Sequence, residues 1–406
     1  MASADSIARV APLWAAAVRS PFHQERFQRA GLRELPASLA EFQERVPFTR
    51  KSDLVAEQAA HPPYGRVLTE PLDQYTRCHQ TSGTTGAPLR WLDTPESWEA
   101  MVQDWRLVLQ AAGVVPGDRI LFAFSFGPFL GFWLAFEAAQ RLGALCFAGG
   151  GMSSSVRLRV LMENECTVLC CTPTYALHLP EVAHAEGLDL TATKLRRIVV
   201  AGEPGGSLPA VRARLASLWN GAQVFDHHGM TETGPVTLED PAAPGTLLLL
   251  EDSFLAEVVH PETSRPVTHG ETGELILTTL RRLGSPLLRY RTGDLVQRDS
   301  AAIPQRFPGG ILGRVDDMVI VRGVNVYPSA LDEIVRSIPE VVEYRATLDS
   351  RGALVELGLE VEAPDSAAAE LSRRIHRSLS LRVPVQVVNA GTLPRFELKA
   401  RRWRRL

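Results

Sequence analysis

From residue 119 the apolar positions alternate between short continuous runs and stretches with helical spacing. The pattern predicts strands at 119–126, 144–148, 167–171, 195–201 and 223–226. It predicts helices between them at 129–142, 153–164, around 175–185 and at 208–219. Strand and helix alternation of this length implies a parallel sheet covered on both faces, with ligands expected where the strands end at their carboxyl side. The chain before this region starts as helix and is broken by Pro/Gly stretches at 61–65 and 70–71.

Beyond residue 240 the rhythm changes to closely spaced strands at 246–250, 255–259 and 274–279, which predicts an antiparallel, barrel-like part. A Pro/Gly cluster at 304–310 precedes a segment with its own pattern: strand 319–321, helix 329–337, strands 343–348 and 354–361, helix 367–379 and strand 385–388. The expected fold is therefore α/β. A large domain, 1–315, carries the helix-covered parallel sheet and the barrel-like part, and a small α+β domain spans 316–406.

Composition agrees with two cores. The chain has 406 residues, 45% hydrophobic and 22% charged, with a formal net charge of -3, and single cores stop growing beyond roughly 250–300 residues. So small a charge argues against nucleic acid or an anionic membrane as the main partner, and Arg401, Arg402, Arg404 and Arg405 read as a solvated end. No apolar run reaches the ~18 residues of a membrane span and residues 1–16 do not resemble a signal peptide, so a cytoplasmic protein is expected. Five cysteines make an odd number that argues against a disulfide framework. Cys170 and Cys171 lie in a strand expected to be buried, which favours small hydrophobes over a metal site with Cys166, His178 and His184.

Four segments carry chemistry. Thr81-Ser82-Gly83-Thr84-Thr85-Gly86-Ala87-Pro88 is dense in glycine and hydroxyl residues, which lets backbone N–H groups form a concave nest for phosphate oxygens. It lacks the lysine of a Walker loop, and alone it is compatible with an ordinary surface turn. Asp226-His227-His228-Gly229-Met230-Thr231-Glu232-Thr233-Gly234 follows a core strand, and a carboxylate there suits Mg²⁺, which prefers one or two carboxylates plus substrate oxygens. The histidine pair has no third ligand at a familiar zinc spacing. Arg289-Tyr290-Arg291-Thr292-Gly293-Asp294-Leu295 and Gly313-Arg314-Val315-Asp316-Asp317-Met318 offer an aspartate at a glycine turn for ribose hydroxyls and arginines for phosphates; each is also compatible with a charged turn.

In this order the segments resemble the acyl-adenylating superfamily of acyl-CoA synthetases, adenylation domains and luciferases. More narrowly, Ala201-Gly202-Glu203-Pro204, Gly149-Gly150-Gly151-Met152, Arg322-Gly323-Val324-Asn325-Val326-Tyr327-Pro328 and Leu393-Pro394-Arg395-Phe396-Glu397-Leu398-Lys399-Ala400-Arg401-Arg402 resemble phenylacetate-CoA ligases. That likeness runs from Pro47-Phe48-Thr49-Arg50-Lys51-Ser52-Asp53-Leu54 to the C-terminus.

The resemblance implies ATP-dependent conversion of a carboxylic acid to acyl-AMP, then transfer to CoA after the small, mobile domain rotates. It implies that Thr81, Ser82, Gly83, Thr84, Thr85 and Gly86 cradle phosphates, Thr231 meets the α-phosphate, Glu232 holds Mg²⁺, and Asp294 with Arg314 binds the ribose. It further implies nucleotide contacts for Gly202, Glu203, Asp226, His227 and His228, a hinge at Asp316, a pantetheine tunnel at Gly323, and a catalytic Lys399 where negative charge builds up. His228 stands where the family usually has a tyrosine that stacks on adenine, and an imidazole offers less stacking area. Residues 237–251 lack the cysteines with which some relatives hold a structural metal, so no zinc is expected there.

Phe124, Phe126 and Phe129, with Phe122, Phe132 and Trp133, crowd the region that borders the acyl pocket in this superfamily, and Gly202 and Gly229 join the expected pocket. Aromatic walls favour a flat aryl or arylacetic acid. Phe122, Phe124 and Phe126 are expected on one face of a strand, so some of them are equally compatible with core. Two other functions compete: adenylation with transfer to a carrier protein or an amine, and a silent binding protein that keeps the fold. Retention of Thr84, Glu232, Asp294 and Lys399 together speaks against the silent one. A homodimer is left open.

Overall fold

The computed structural model describes residues 2–81, 88–299, 304–322, 324–351, 355–396 and 400–406. Five strands, β1 (Arg119–Phe122), β2 (Leu145–Ala148), β3 (Val168–Cys171), β4 (Arg197–Val200) and β5 (Gln223–Asp226), form a parallel sheet in the order β2-β1-β3-β4-β5. All four residues of β3 are buried, as a strand covered on both faces requires. The connecting helices, Leu130–Arg141, Ser154–Glu163, Pro173–Ala185 and Pro209–Leu218, sit within two residues of their expected bounds. Ser153 and Thr172 cap two of them by accepting the backbone N–H of Val156 and Tyr175.

The first strand departs from expectation. It ends at Phe122, where its pairing with β3 stops at Cys170, and the chain leaves as a loop through Ser125-Phe126-Gly127-Pro128. Phe122 packs in the core, while Phe124 and Phe126 belong to the loop and share no strand face with it.

The region expected to be barrel-like consists of antiparallel sheets of four and three strands. The larger orders β6 (Phe254–Val259), β7 (Thr272–Thr279), β8 (Tyr290–Gln297) and β9 (Gly313–Arg314) side by side. Sequence reading takes the Arg289–Leu295 motif as a turn, yet from Tyr290 on it lies in β8, an eight-residue strand whose pairing shifts register opposite Glu274 and Ile276. Gly293 sits at φ +77°, and a Cβ there would meet Arg314 Nη2 at 2.8 Å, so the strand is bent sharply enough at this glycine to read as a turn.

The C-terminal segment has a core of its own, including Val319, Leu331, Val335, Tyr344, Leu371 and Ile375. Its sheet runs in the order β12-β11-β10-β13 for β10 (Glu343–Asp349), β11 (Glu356–Glu362), β12 (Val385–Val387) and β13 (Trp403–Arg405), against helices Pro328–Arg336 and Asp365–Leu379. The last strand corrects the reading of a solvated basic end. Arg402 is buried, with Nε 2.6 Å from Glu343 Oε1 and Nη2 3.0 Å from Glu343 Oε2, because β13 pairs with β10 and draws it inward.

Candidate active site

The carboxyl ends of β4 and β5 and the middle of β8 meet at one place. Asp226 ends β5 fully inside: its Oδ2 accepts from Ser207 Oγ at 2.6 Å and its Oδ1 from the His227 N–H at 2.9 Å, while its own N–H donates to Glu239 Oε2 at 2.6 Å. Burial pushes its carboxyl up to about 6. His227 is buried too, with Nδ1 2.6 Å from the Thr237 carbonyl and its ring 4.3 Å from Trp105. Desolvation lowers its pKa to about 4, so it is neutral near pH 7 and Nδ1 carries the proton given to that carbonyl. These two side chains brace the strand end from behind.

The next residue faces Asp294. His228 Nε2 lies 3.2 Å from Asp294 Oδ2, and Arg314 Nη1 lies 3.0 Å from Asp294 Oδ1. Burial would raise the Asp294 carboxyl, but His228 and then Arg314 more than offset it and hold it below its usual value. Arg314 also grips the exposed Asp316, Nε to Oδ1 at 2.9 Å. His228, Asp294, Arg314 and Asp316 thus form one polar chain.

Glu232 forms the second group. It is buried, its Oε1 lies 2.9 Å from Lys51 Nζ, and the Tyr290 hydroxyl donates to the same oxygen at 3.3 Å. Burial and then the Glu232 charge push the Tyr290 phenol well up, so it stays a donor. Thr231 is placed through its carbonyl, which accepts from Arg282 Nη1 at 2.8 Å; Arg282 is gripped by buried Asp93 at 2.6 Å on each oxygen. Thr81 closes the base of the glycine-rich loop: its N–H donates to the Leu89 carbonyl and its hydroxyl accepts from the Leu89 N–H, both at 3.0 Å. Ser82, Gly83, Thr84, Thr85, Gly86, Gly323 and Lys399 lie outside the described residues.

Gly202 has φ +95°, and Glu203 beside it joins distant segments: Oε1 accepts from the Thr174 N–H at 2.8 Å and Oε2 from the Ala400 N–H at 2.9 Å, one residue after Lys399. Gly229 pairs with Pro235, and a Cβ there would meet the Gly234 carbonyl at 2.8 Å. Next to these loops a cavity of about 380 Å³ is lined by Ser125, Phe126, Trp133, Phe136, Ala148, Gly150 and Gly151. Of the three phenylalanines expected there, Phe126 lines it. Phe124 instead stacks on Phe132 at 3.7 Å in the core, and Phe129 caps helix Leu130–Arg141.

Sequence reasoning missed Lys51, Tyr290, Arg282 and Asp93. Lys51 stands in the early motif, 47–54, and Tyr290 in the third. Arg282 and Asp93 are 189 residues apart, and nothing local signals that they meet.

A family model described as AMP-binding enzyme matches residues 45–279, and one described as AMP-binding enzyme C-terminal domain matches residues 323–404. The phenylacetate-coenzyme A ligase of Pseudomonas putida is 31% identical over 397 residues, 94% of this chain and 88% of that protein. Among solved structures, 2-hydroxyisobutyryl-CoA ligase in the postadenylation state with 2-HIB-AMP is 31% identical and matches with a TM-score of 0.92 over 98% of this chain and 88% of that one. The same ligase with 2-HIB-AMP and CoA in the thioesterification state, also 31% identical over the same shares, gives 0.73.

Proposed function

The chain belongs to the AMP-binding enzyme family, and from that premise we propose that it activates an aryl or arylacetic acid with ATP and passes the acyl group to CoA. In the first step a carboxylate oxygen attacks the α-phosphorus and the bond to pyrophosphate breaks, leaving acyl-AMP. In the second the CoA sulfur attacks the acyl carbon, the bond to AMP breaks, and the thiol proton leaves to solvent.

The observation that carries this reading is the convergence of Asp294 with His228 and Arg314 beside the buried Glu232. A fixed, ionised carboxylate accepts both ribose hydroxyls, and charged acceptors make the stronger hydrogen bonds. Arg314 and His228 hold it in place before the nucleotide arrives. Thr81 with residues 82–86 takes the outer phosphates, Thr231 the α-phosphate, and Gly202, Glu203 and Gly229 border the adenylate. Asp226 and His227 act from behind by fixing the start of this loop.

The donor set fits Mg²⁺: Glu232 supplies one carboxylate oxygen now held by Lys51, and phosphate oxygens would complete the shell. Such an ion would neutralise charge on the departing pyrophosphate. Lys399 would carry positive charge to the reacting carboxylate and α-phosphate. The aromatic cavity supports a flat acid, with Phe126, Trp133 and Phe136 as its walls.

We assign residues 1–315 to acid and nucleotide binding and 316–406 to a domain that turns about Asp316, bringing Gly323 to the CoA tunnel in the second step. The higher TM-score to the postadenylation state supports reading the present arrangement as the adenylate-forming one. The deciding experiment is acid-dependent exchange of labelled pyrophosphate into ATP across a panel of aryl, arylacetic and aliphatic acids, followed by product analysis with CoA, carrier protein and amine side by side. Exchange with aryl acids and thioester formed with CoA is expected. Exchange with no acid would end the reading, and product formed only with carrier protein or amine would replace its second half.

A further inference from the structure

Around the C-terminal segment, the two parts of the chain are joined mainly through main-chain groups. Ala400 N–H donates to Glu203, Ala210 N–H to Glu333 at 3.2 Å, and Arg214 Nη1 to the Pro339 and Val341 carbonyls at 3.1 and 2.8 Å. Arg402 Nη1 adds a side-chain contact to Thr174 Oγ1 at 3.3 Å. Among the described residues, and apart from Arg314 and Asp316 at the boundary itself, one ion pair crosses: Glu181 Oε2 lies 2.6 Å from Arg395 Nε. Both side chains are partly buried, at 33% and 24% exposure, which screens them less than surface charges.

The pair has an asymmetric setting. Arg395 is also held inside its own domain by Glu362, Nη2 to Oε2 at 2.7 Å and Nη1 to Oε1 at 3.2 Å. Glu181 sits on helix Pro173–Ala185, with His178 Nδ1 3.7 Å away. The guanidinium is thus anchored on the small domain by one carboxylate and docked on the large domain by another. Four residues downstream comes Lys399, followed by Ala400 on Glu203. The segment that carries Lys399 is therefore tied at both ends to the large domain, by Glu181 before it and by Glu203 after it.

We propose that Glu181 is a positioning residue for adenylate formation: through Arg395 it docks the 395–400 segment so that Lys399 is delivered to the site, and this pair breaks for thioester formation. The proposal rests on the role given to Lys399 above. Because Arg395 keeps Glu362, replacing Glu181 removes the docking contact and leaves the internal one. Glu181 touches neither substrate nor the reacting atoms, so its effect divides between the half-reactions according to which arrangement each needs.

The test uses Glu181→Gln and Glu181→Lys in the full chain. Acid-dependent pyrophosphate exchange should fall by roughly five-fold in Glu181→Gln, the loss expected of one partly exposed ion pair, and further in Glu181→Lys, where like charges meet. Conversion of synthetic acyl-AMP and CoA to thioester should hold or rise in both. Small-angle scattering from ligand-free Glu181→Lys should depart from the profile of the present arrangement. Equal losses in both half-reactions, or unchanged exchange and scattering in Glu181→Lys, would overturn the proposal. Lys399→Ala serves as the separate control. If it leaves exchange intact, the Lys399 assignment fails whatever Glu181 does, whereas lost exchange in Lys399→Ala beside an unaffected Glu181→Lys overturns only the role of Glu181.

Discussion

His228 Nε2 and Asp294 Oδ2 face each other at 3.2 Å, and the other carboxylate oxygen has Arg314 at 3.0 Å. Each oxygen of the buried carboxylate therefore has a nitrogen beside it, and the two side chains hold the carboxyl below its usual value against the effect of burial.

Asp294→Ala should cost ATP binding about 1.5–3 kcal/mol, the worth of a hydrogen bond to a charged group. Calorimetry with ATP reads it directly, and unchanged affinity would remove Asp294 from the nucleotide site.

Lys399→Ala should slow adenylate formation by roughly 10²–10³, the cost of removing one group aimed at developing charge. Thioester formation from preformed acyl-AMP and CoA should continue near the parent rate. Equal losses from both starting points would mean that Lys399 serves both steps or neither.

Arg282→Met should destabilise the fold by about 3–5 kcal/mol, because Asp93 is left buried without its partner. It also releases the Thr231 carbonyl. Pairing it with Asp93→Leu should recover stability in urea unfolding without recovering pyrophosphate exchange. Recovery of both would show that Arg282 serves only as the partner of Asp93.

Asp104 gives a pH signature. Burial, partly offset by the Ser253 hydroxyl at 2.8 Å and then Arg281 at 3.6 Å, pushes its carboxyl from 3.8 up to about 7. Its folded pKa is raised, so the folded state binds the extra proton between those values, and the penalty of ionising it inside grows as pH rises to about 7. Asp104→Asn should therefore gain stability relative to the parent by an amount on the order of 4 kcal/mol at pH 8, shrinking to about 2 at pH 5. A difference that does not change with pH would show that Asp104 titrates normally.

Elements made of uniform runs were legible in the sequence. β3 is buried on both faces, and its four apolar residues announce it. β8 was not legible, because Arg291, Gly293 and Asp294 break the apolar run with groups satisfied by Glu274, Arg314 and His228 from other segments. The aromatic triplet misled for a related reason: alternation continues past Phe122, while the partner strand that would make it a strand does not. Motif spacing picked out Glu232, Asp294 and Arg314 as candidates but could not separate the inward-packed Asp226 and His227 from His228, which faces the carboxylate. That distinction depends on burial by Trp105, Thr237 and Glu239. Arg402 went the same way, since only pairing of β13 with β10 turns it from water toward Glu343.

The loop that carries Phe126 meets the strand before the glycine-rich loop through main chain: the Gln80 N–H donates to the Pro128 carbonyl at 2.8 Å. A bond of that kind is indifferent to side chains. Replacing Phe126, Trp133 or Phe136 reshapes the cavity and leaves this main-chain bond in place. Side chains therefore shape the cavity wall while main chain holds the strand beside it, so the one can be altered by substitution without loosening the other.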